Sequence, residues 1–519
     1  MAGADTSPVV IASQPGIKRD GTKLDGDNYT DGQWVRFQRG KPRKIGGYRR
    51  ITPGLSQISR GMHVQSRNAT NFLHSGHFGG LDRLTIDNLG NASVISDRTP
   101  SGFVVDFGNQ WQFDAVYNPA SVGANLFAHA APNGEDIASS IERPVYYGDI
   151  YGTGQLVPIA SLPLGASGGV VALQPYLFAF GNDGSINWSD SADPTDFTGS
   201  GPNNDGGTAR VTAQKIVRGM PLRGGGGNSP SGIFWSLDSV IRGAYTGGDV
   251  TFRFDTLTSQ SSILSASSVI EYDGLFFWCG VDRFLMFNGV VREVPNQMNL
   301  NWFFDNLNYA QRQKVFAFKV PRFGEIWWCY PRGSAIECTH AVIHNVREGT
   351  WYDTQLPGGG RSAGQYAQVF KSPLVAGVDA YNSATYRLWQ HEFGYDEVDD
   401  SAAAVRSFFE TADMSLMVGK DQPKSQALHV ECVEPDLVQA GVVEMSILGR
   451  ANARSVEQAS DPRTVAPVTE SVNPTQQVVW FREVRRQMRF RVESNVLGGN
   501  YEMGQTIAHI GPADETTIA

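Results

Sequence analysis

From about residue 60 to residue 395 the chain alternates short apolar, aromatic-rich runs with turns built from Gly, Asn and Asp. The runs are Phe72-Leu73-His74, Leu126-Phe127-Ala128, Tyr176-Leu177-Phe178-Ala179-Phe180, Gly232-Ile233-Phe234-Trp235, Leu275-Phe276-Phe277-Trp278, Glu325-Ile326-Trp327-Trp328 and Leu374-Val375-Ala376. Each is too short for a stable helix, is rich in strand-favouring residues and is closed by turn residues, so each reads as a strand. Measured at their second or third residue they fall near 73, 127, 177, 234, 276, 327 and 375. Successive intervals of about 42 to 57 residues match a four-stranded propeller blade with variable loops. The pattern therefore predicts an all-β fold: a β-propeller of six or seven blades over residues 56–400, the first or last run being open to a place outside it.

The clearest unit is Glu271 to Pro295. Leu275 to Trp278 forms one strand, Gly280-Val281-Asp282 turns, Arg283 to Phe287 returns, and Asn288-Gly289 is a hairpin signal because both residues tolerate positive φ. Phe72 to Ile95 repeats this plan around a Gly79-Gly80 bend and a turn at Asn88 to Asn91. Such blades cannot bury their faces alone; radial packing supplies the core. One stretch departs from the pattern. Pro295 to Lys314 lacks strand alternation, and Asn299 can cap a short helix with Trp302, Phe303 and Leu307 on one side, a helical insertion near 296–312. Gly199 to Gly207 and the glycine run Arg223 to Asn228 read as loops.

The two ends differ from the repeats. Residues 1–55 form a basic strand segment, belonging to the first blade or to a separate platform. Residues 401–519 form a second, smaller β-sheet platform domain, in which Ala427–Val433, Gly441–Leu448, Gln476–Phe481 and Arg485–Val492 alternate as strands. Ala402 to Phe409 is open to helix or strand, and Ala451 to Asn473 is a polar loop. In Gln487 to Val492 the arginines share one face of a half-buried strand.

Composition sharpens the picture in three ways. Fifty-eight glycines, 28 phenylalanines, 17 tyrosines and 11 tryptophans supply turns and strands. Charged residues are only 18%, so partners are expected to cover much of the surface. The net charge of -9 argues against nucleic-acid binding over the whole surface, yet suits a wall past which a duplex slides. Cys279, Cys329, Cys338 and Cys432 form no disulfide framework and no zinc pattern, which points to synthesis in a reducing cytoplasm. No secretory leader and no membrane-spanning run is predicted.

Against this acidic background, Gly32 to Arg50 carries Arg36, Arg39, Lys41, Arg43, Lys44, Arg49 and Arg50 with no acid among them. Trp34 to Arg39 alternates as a strand, Arg39-Gly40-Lys41-Pro42 reads as a turn, and Ile45 to Tyr48 as a short return. Seven unopposed cations suit an interface with an acidic neighbour; a solvated strand and DNA contact are the other readings. Arg485, Arg486 and Arg489 make a second candidate interface cluster.

Catalytic patterns are weak. Asn182 to Ser189 resembles the aspartate box of propeller glycosidases but lacks the residue between Asp183 and Gly184, and that box is a structural brace. Carboxyls Asp238, Asp249, Asp282 and Glu325 are not paired by spacing as glycosidase chemistry requires. His340 and His344 stand four apart without the adjacent glutamate of a metalloprotease, and Pro357 to Arg361 lacks the lysine and hydroxyl of a phosphate loop. No enzyme activity, metal or cofactor is expected.

Four stretches resemble the tail hub or nozzle proteins of short-tailed phages, the tail tubular and packaged-DNA-stabilising family. They are residues 32–48 (GQWVRFQRGKPRKIGGY), 311–331 (QRQKVFAFKVPRFGEIWWCYP), 272–289 (YDGLFFWCGVDRFLMFNG) and 482–505 (REVRRQMRFRVESNVLGGNYEMGQ). The resemblance implies a propeller joined to a β platform, with a homo-hexameric ring below the portal and its adaptor. It implies neighbours among tail fibre, spike and tip proteins, a virion location, and genomic DNA retained in and ejected through the lumen without sequence-specific binding. The family's last domain often ends in a basic stretch, whereas this sequence closes on Gly511-Pro512-Ala513-Asp514-Glu515-Thr516-Thr517-Ile518-Ala519. The alternative expectation is a receptor- or glycan-binding propeller at the tail tip, which requires an exposed aromatic-lined pocket.

Overall fold

The computed structural model describes residues 6–513 except 69, 88–90, 94, 120–122, 133–136, 223–229, 249, 357–358, 379–385, 419–423 and 469–477. The glycine run at 223–228, Asp249, Pro357-Gly358, most of the turn at 88–91, Gln476, the end of the polar loop and residues 514–519 thus lie outside the described residues.

Six four-stranded antiparallel sheets follow one another along the chain. Their first and second strands are Ser59–Arg67 and Thr70–His77, Asn109–Asn118 and Gly123–Pro132, Gly169–Leu173 and Tyr176–Phe180, Ile216–Pro221 and Ser231–Ser236, Ile270–Tyr272 and Leu275–Cys279, and Phe316–Val320 and Glu325–Tyr330. We number these blades 1 to 6. The first strands stand side by side around a common axis, and a seventh sheet beginning at Arg361–Gln365 closes the circle against blade 1. All seven aromatic-rich runs picked out by spacing fall on the second strand of a blade. That strand is covered on both faces by neighbouring blades, so it is the most continuously apolar one.

Adjacent blades bury their faces against each other. Phe178 of blade 3 meets Phe234 of blade 4 with ring centroids 5.8 Å apart, and Trp235 of blade 4 meets Trp278 of blade 5 at 5.6 Å. Such pairs add about 0.5–1.5 kcal/mol beyond the burial of their area. The helical excursion is real but short: α1 (Leu300–Asn306) follows blade 5 and buries Phe303. Asn299 occupies its N-cap without a side-chain capping bond. Asp20 does that work instead, accepting the N–H groups of Asn301 and Trp302 at 2.9 and 2.8 Å. A carboxylate at a helix start also meets the favourable end of the backbone dipole.

The remaining principal strands come from the two ends of the chain. The first part supplies β1 (Ser7–Ile11), β2 (Asp31–Gln33), β3 (Val35–Gln38), β4 (Lys41–Lys44) and β5 (Tyr48–Leu55). The last part supplies β6 (Ser407–Glu410), β7 (Met414–Val418), β8 (Lys424–Ala440), β9 (Val443–Arg450), β10 (Val479–Arg485), β11 (Gln487–Ser494) and β12 (Asn500–Ala513). β5 enters blade 7, pairing Ile51 with Leu388, Arg50 with Trp389 and Tyr48 with His391. The propeller is thus closed by a strand from the start of the sequence laid beside strands from its later part. Asp396–Val398 and Ala402–Ala404 extend this blade to six strands.

The platform has two layers. One runs β1-β12-β8-β10, and the other places β11 between β6 and β9. Val430, Met445, Phe481, Phe490 and Met503 fill the space between them. This core continues through Trp34, Phe37 and Tyr48 into Phe318, Trp327 and Trp389 of the propeller, so the two parts share one interior. The basic hairpin differs in detail from its sequence reading. Its turn is confined to Arg39-Gly40, with φ of 54° and 72°, and the return strand is Lys41–Lys44 rather than Ile45 to Tyr48. Two successive positive φ values give the tight connection that matches strand twist.

Ile51 is fully buried at the closure of blade 7, whereas Val438 at the end of β8 is 73% exposed. Ile51→Ala is expected to lose roughly 2–5 kcal/mol in urea unfolding, and Val438→Ala to stay within about 0.5 kcal/mol of the parent. Equal, small effects would mean that β5 does not hold the propeller closed.

Candidate functional site at the propeller–platform seam

Three of the four stretches singled out in the sequence meet at one place. Residues 32–48 form the hairpin β3-β4, residues 311–331 supply the first two strands of blade 6, and residues 482–505 supply β11 and the start of β12. Arg36 lies between them and is 1% exposed. Its Nε and Nη2 donate to the two carboxylate oxygens of Glu325 at 2.8 and 3.0 Å, and its Nη1 and Nη2 donate to Glu392 at 2.9 and 2.5 Å. Its guanidinium lies 3.7 Å from the centroid of Phe323. Glu325 also accepts from Tyr352 Oη at 2.6 Å and Trp327 Nε1 at 2.9 Å. Burial pushes the Glu325 carboxyl up, while Arg36 pulls it down.

The local backbone is built for this approach. Trp34 takes φ 53°, an unusual value for a bulky residue, and is held there from several sides. Its N–H donates to Thr354 Oγ1, its Nε1 donates to Gly46 O, and its carbonyl accepts from Ser407 Oγ. At Gly47 an added Cβ would stand 2.2 Å from Asp396 O, so only glycine lets the hairpin pass this closely.

The sequence expectation of seven unopposed cations facing an outside neighbour needs correcting for the buried ones. Arg36 is neutralised by acids of its own chain. Lys44 is buried, donates to Gly499 O at 2.8 Å, and is pulled down to about 8 by that burial. Arg489 is also buried, donating to Glu410, Asp413 and Glu457 at 2.7, 3.1 and 2.5 Å; it shares its strand face with Arg491, as expected, but that face is covered by acids of the same chain. For the two arginines the physical reason is that a charge sealed in a core must bring its counter-charge with it, whereas Lys44 is held by a backbone carbonyl. The others lie nearer the surface. Arg39 is 80% exposed and meets Glu502 at 2.7 Å; Arg43 reaches the same carboxylate at 3.5 Å. Arg50 meets Asp399 at 3.0 Å, Arg49 donates to Gln390 at 2.8 Å, and Arg485 lies 3.4 Å from Glu483. Lys41 and Arg486 are half-buried. Nothing in the sequence points to the acids Glu392, Glu410, Glu457 and Glu502, because pairing across 32 to 463 residues leaves no local spacing. Glu325 was noticed only as a stray carboxyl.

The propeller axis is narrow. Its cavity has a volume of about 350 Å³, lined by the first strands of the blades, room for about a dozen waters. His63, Gln112, Arg218, Ser362 and Gln365 line it, and each keeps one buried polar atom without a protein partner, as a hydrated bore requires. A duplex does not thread this bore.

The candidates for chemistry do not assemble. Asp238 and Asp282 sit in turns of different blades, the first bound to Ser236 Oγ and the second to Arg283, while Glu325 is the partner of Arg36. His344 stacks on Trp351 with centroids 4.3 Å apart, and His340 contacts Thr339 and Arg332. Burial holds both imidazoles down at about 4. Asn182 to Trp188 braces the hairpin between the second and third strands of blade 3. Among the described residues no three His, Cys, Asp or Glu side chains gather as a metal site, and no helix is long and apolar enough to cross a membrane.

No family model matches this chain, and none of the curated proteins matches it. Among solved structures it is similar to the β-propeller domain of Cps50 (Swd1) from Myceliophteria thermophila, with a TM-score of 0.38 and 11% identity. That similarity covers 66% of this chain and 99% of the other. The propeller assignment stands on strand order and radial closure.

Arg36→Met would leave Glu325 and Glu392 without their counter-charge, with an expected loss of roughly 3–5 kcal/mol. The loss should depend on pH. A carboxyl raised in the folded state stabilises fully below its unfolded value and loses that contribution as pH rises through its folded value. Without Arg36 the Glu325 carboxyl rises further, so the deficit should be smallest in acid and grow toward neutrality. A pH-independent deficit in chemical denaturation would contradict the pairing.

Proposed function

We propose that this chain is a structural protein of a short phage tail, the hub or nozzle component, in which about six copies ring the channel used for genome retention and ejection. The observation that supports this best is the seam. A propeller and a platform built from both chain ends share one interior and are pinned by the buried ion pairs of Arg36, giving a rigid block. The four stretches that resemble the hub and nozzle family include the three that make this joint.

The route for DNA in this reading is the lumen of the ring, since the bore of a single propeller, about 350 Å³, is far too small for a duplex. A chain of net charge -9 suits that lumen: neutralised phosphates would add holding strength through counterion release, and ejection needs the duplex to leave. Surface cations such as Arg39 then serve contacts with copies, the portal-proximal adaptor, and fibre, spike or tip proteins. The protein is made in the host cytoplasm and resides in the virion tail. No catalytic role is part of this reading.

Native mass measurement on virion-derived tails tests it, with a closed ring of about six copies expected and a monomer in the assembled particle refuting it. The isolated chain should show no tight duplex binding at physiological salt; a strong affinity falling steeply with salt would point to DNA capture.

One observation favours a second reading, a receptor- or glycan-binding propeller at the tail tip. An open groove of about 520 Å³ carries Trp302 and Phe408 beside Arg19, Arg332 and Arg406. Arg332 stacks over Trp302 at 4.2 Å. Saturable binding of purified protein to host cells, lost in Trp302→Ala, is the expected outcome for that role; no binding to cells removes it.

A further inference from the structure

The bore of the propeller carries more positive charge than its acids cover. Four cations line it: Arg60 of blade 1, Arg218 of blade 4, and Lys314 and Lys319 at blade 6. Arg60 and Lys314 share one carboxylate, Glu337, at 2.6 and 3.2 Å, and Lys319 meets Glu271 at 3.1 Å. Four cations against two acids leave two positive charges without an acid at ion-pair distance among the described residues. Burial pulls the Lys314 ammonium down, and the neighbouring Arg60 adds to that pull against the hold of Glu337.

Arg218 is the least served of the four. Its Nε is buried without a hydrogen-bond partner, and among the described residues its guanidinium forms no ion pair. The acid whose charge reaches it, Asp114, already accepts the N–H groups of Ala115 and Ala172, each at 2.8 Å. A buried guanidinium left in this state is costly. Beside it stands an acceptor in need of a proton. Gln112 Nε2 donates to Gly168 O and to Val217 O, the carbonyl next to Arg218, at 2.8 and 2.9 Å. That fixes the amide and leaves its Oε1 buried without a partner. Ser362 Oγ, from blade 7, is likewise unpartnered in the same bore.

We infer that the propeller bore is a binding site for one free hydrogen phosphate ion, held by Arg218 and Lys314 and oriented by Gln112. The chemistry asked for is a small dianion that also carries a proton. Two negative charges match the two uncovered cations. The ion's bare oxygens accept from the guanidinium and the ammonium, as charge-assisted bonds, and its one O–H donates to Gln112 Oε1. The bore, about 350 Å³, has room for such an ion with part of its water shell. Held there, the ion ties blades 2, 4 and 6 together across the axis, where their own strands do not pair. The site belongs to the single chain and holds whatever particle the protein serves in.

The test is calorimetric titration of the purified full chain with sodium phosphate at constant ionic strength, paired with thermal unfolding. One ion per chain should bind, and the unfolding temperature should climb with phosphate but not with matched sodium chloride. Equal stabilisation by chloride would mean screening and overturn the site. Arg218→Met should weaken binding by about tenfold to a hundredfold, the loss of a hydrogen bond to a charged group. Arg253→Met, at a guanidinium 71% exposed on blade 4, should bind as the parent does, and parent-like binding by Arg218→Met would overturn the proposal. Without phosphate, Arg218→Met should unfold no earlier than the parent, because it removes an uncovered charge; a marked loss there would mean that the protein itself holds Arg218, which also overturns it. Sulfate has no proton for Gln112 and should bind more weakly, while equal binding would overturn the assignment to a protonated oxyanion. Crystals of the parent soaked in selenate at high concentration give a check that needs no variant: anomalous density is expected in the bore, and density only elsewhere would overturn the site.

Discussion

The structure depends on one strand exchange along the sequence. β5 leaves the N-terminal region and completes blade 7, between strands whose residues come more than 330 positions later. A propeller has no covalent link between its first and last blades, and closure must offset the entropy of joining distant segments. Here the closing strand is continuous with the hairpin that carries Arg36 and the strained Trp34. Ring closure and attachment of the platform are therefore the same event, and neither can be weakened without loosening the other.

Buried ion pairs mark that joint on both sides. Arg36 holds two carboxylates from blades 6 and 7, and Arg489 holds three from the platform. Pairs of this kind add little net stability, because desolvation offsets their attraction, but a partner in the wrong place is costly. Their effect is positional: Arg36 defines how the hairpin sits against blades 6 and 7, and Arg489 fixes strands within the platform.

Much of the fold was legible in the sequence because the repeat is a burial pattern. The second strand of every blade is largely buried on both sides, so its runs stand out even where the outer strands are only two residues long, as at Ser96–Asp97 or Val157–Pro158. The same logic explains what was missed. β12 carries small, polar and apolar residues without clean alternation, since it is paired on both sides and bulges opposite β8. The basic hairpin was read correctly as a hairpin and wrongly as an outward surface in part. Charge along a sequence says nothing of acids hundreds of residues away, and Glu325 and Glu392 are 67 residues apart from each other as well.

The topology also imposes an order in time. β5 has no strand to lie against until Tyr386–His391 has been synthesised, and β1 has none until β12 has been. At about 5–20 residues per second, the interval between making Leu55 and Tyr386 is on the order of twenty seconds to a minute. Throughout it the growing chain carries an unfinished propeller and a waiting N-terminal segment. A chain broken off before Tyr386–His391 cannot close the propeller, and one broken off before β12 cannot complete the platform. Length is thereby checked by folding itself.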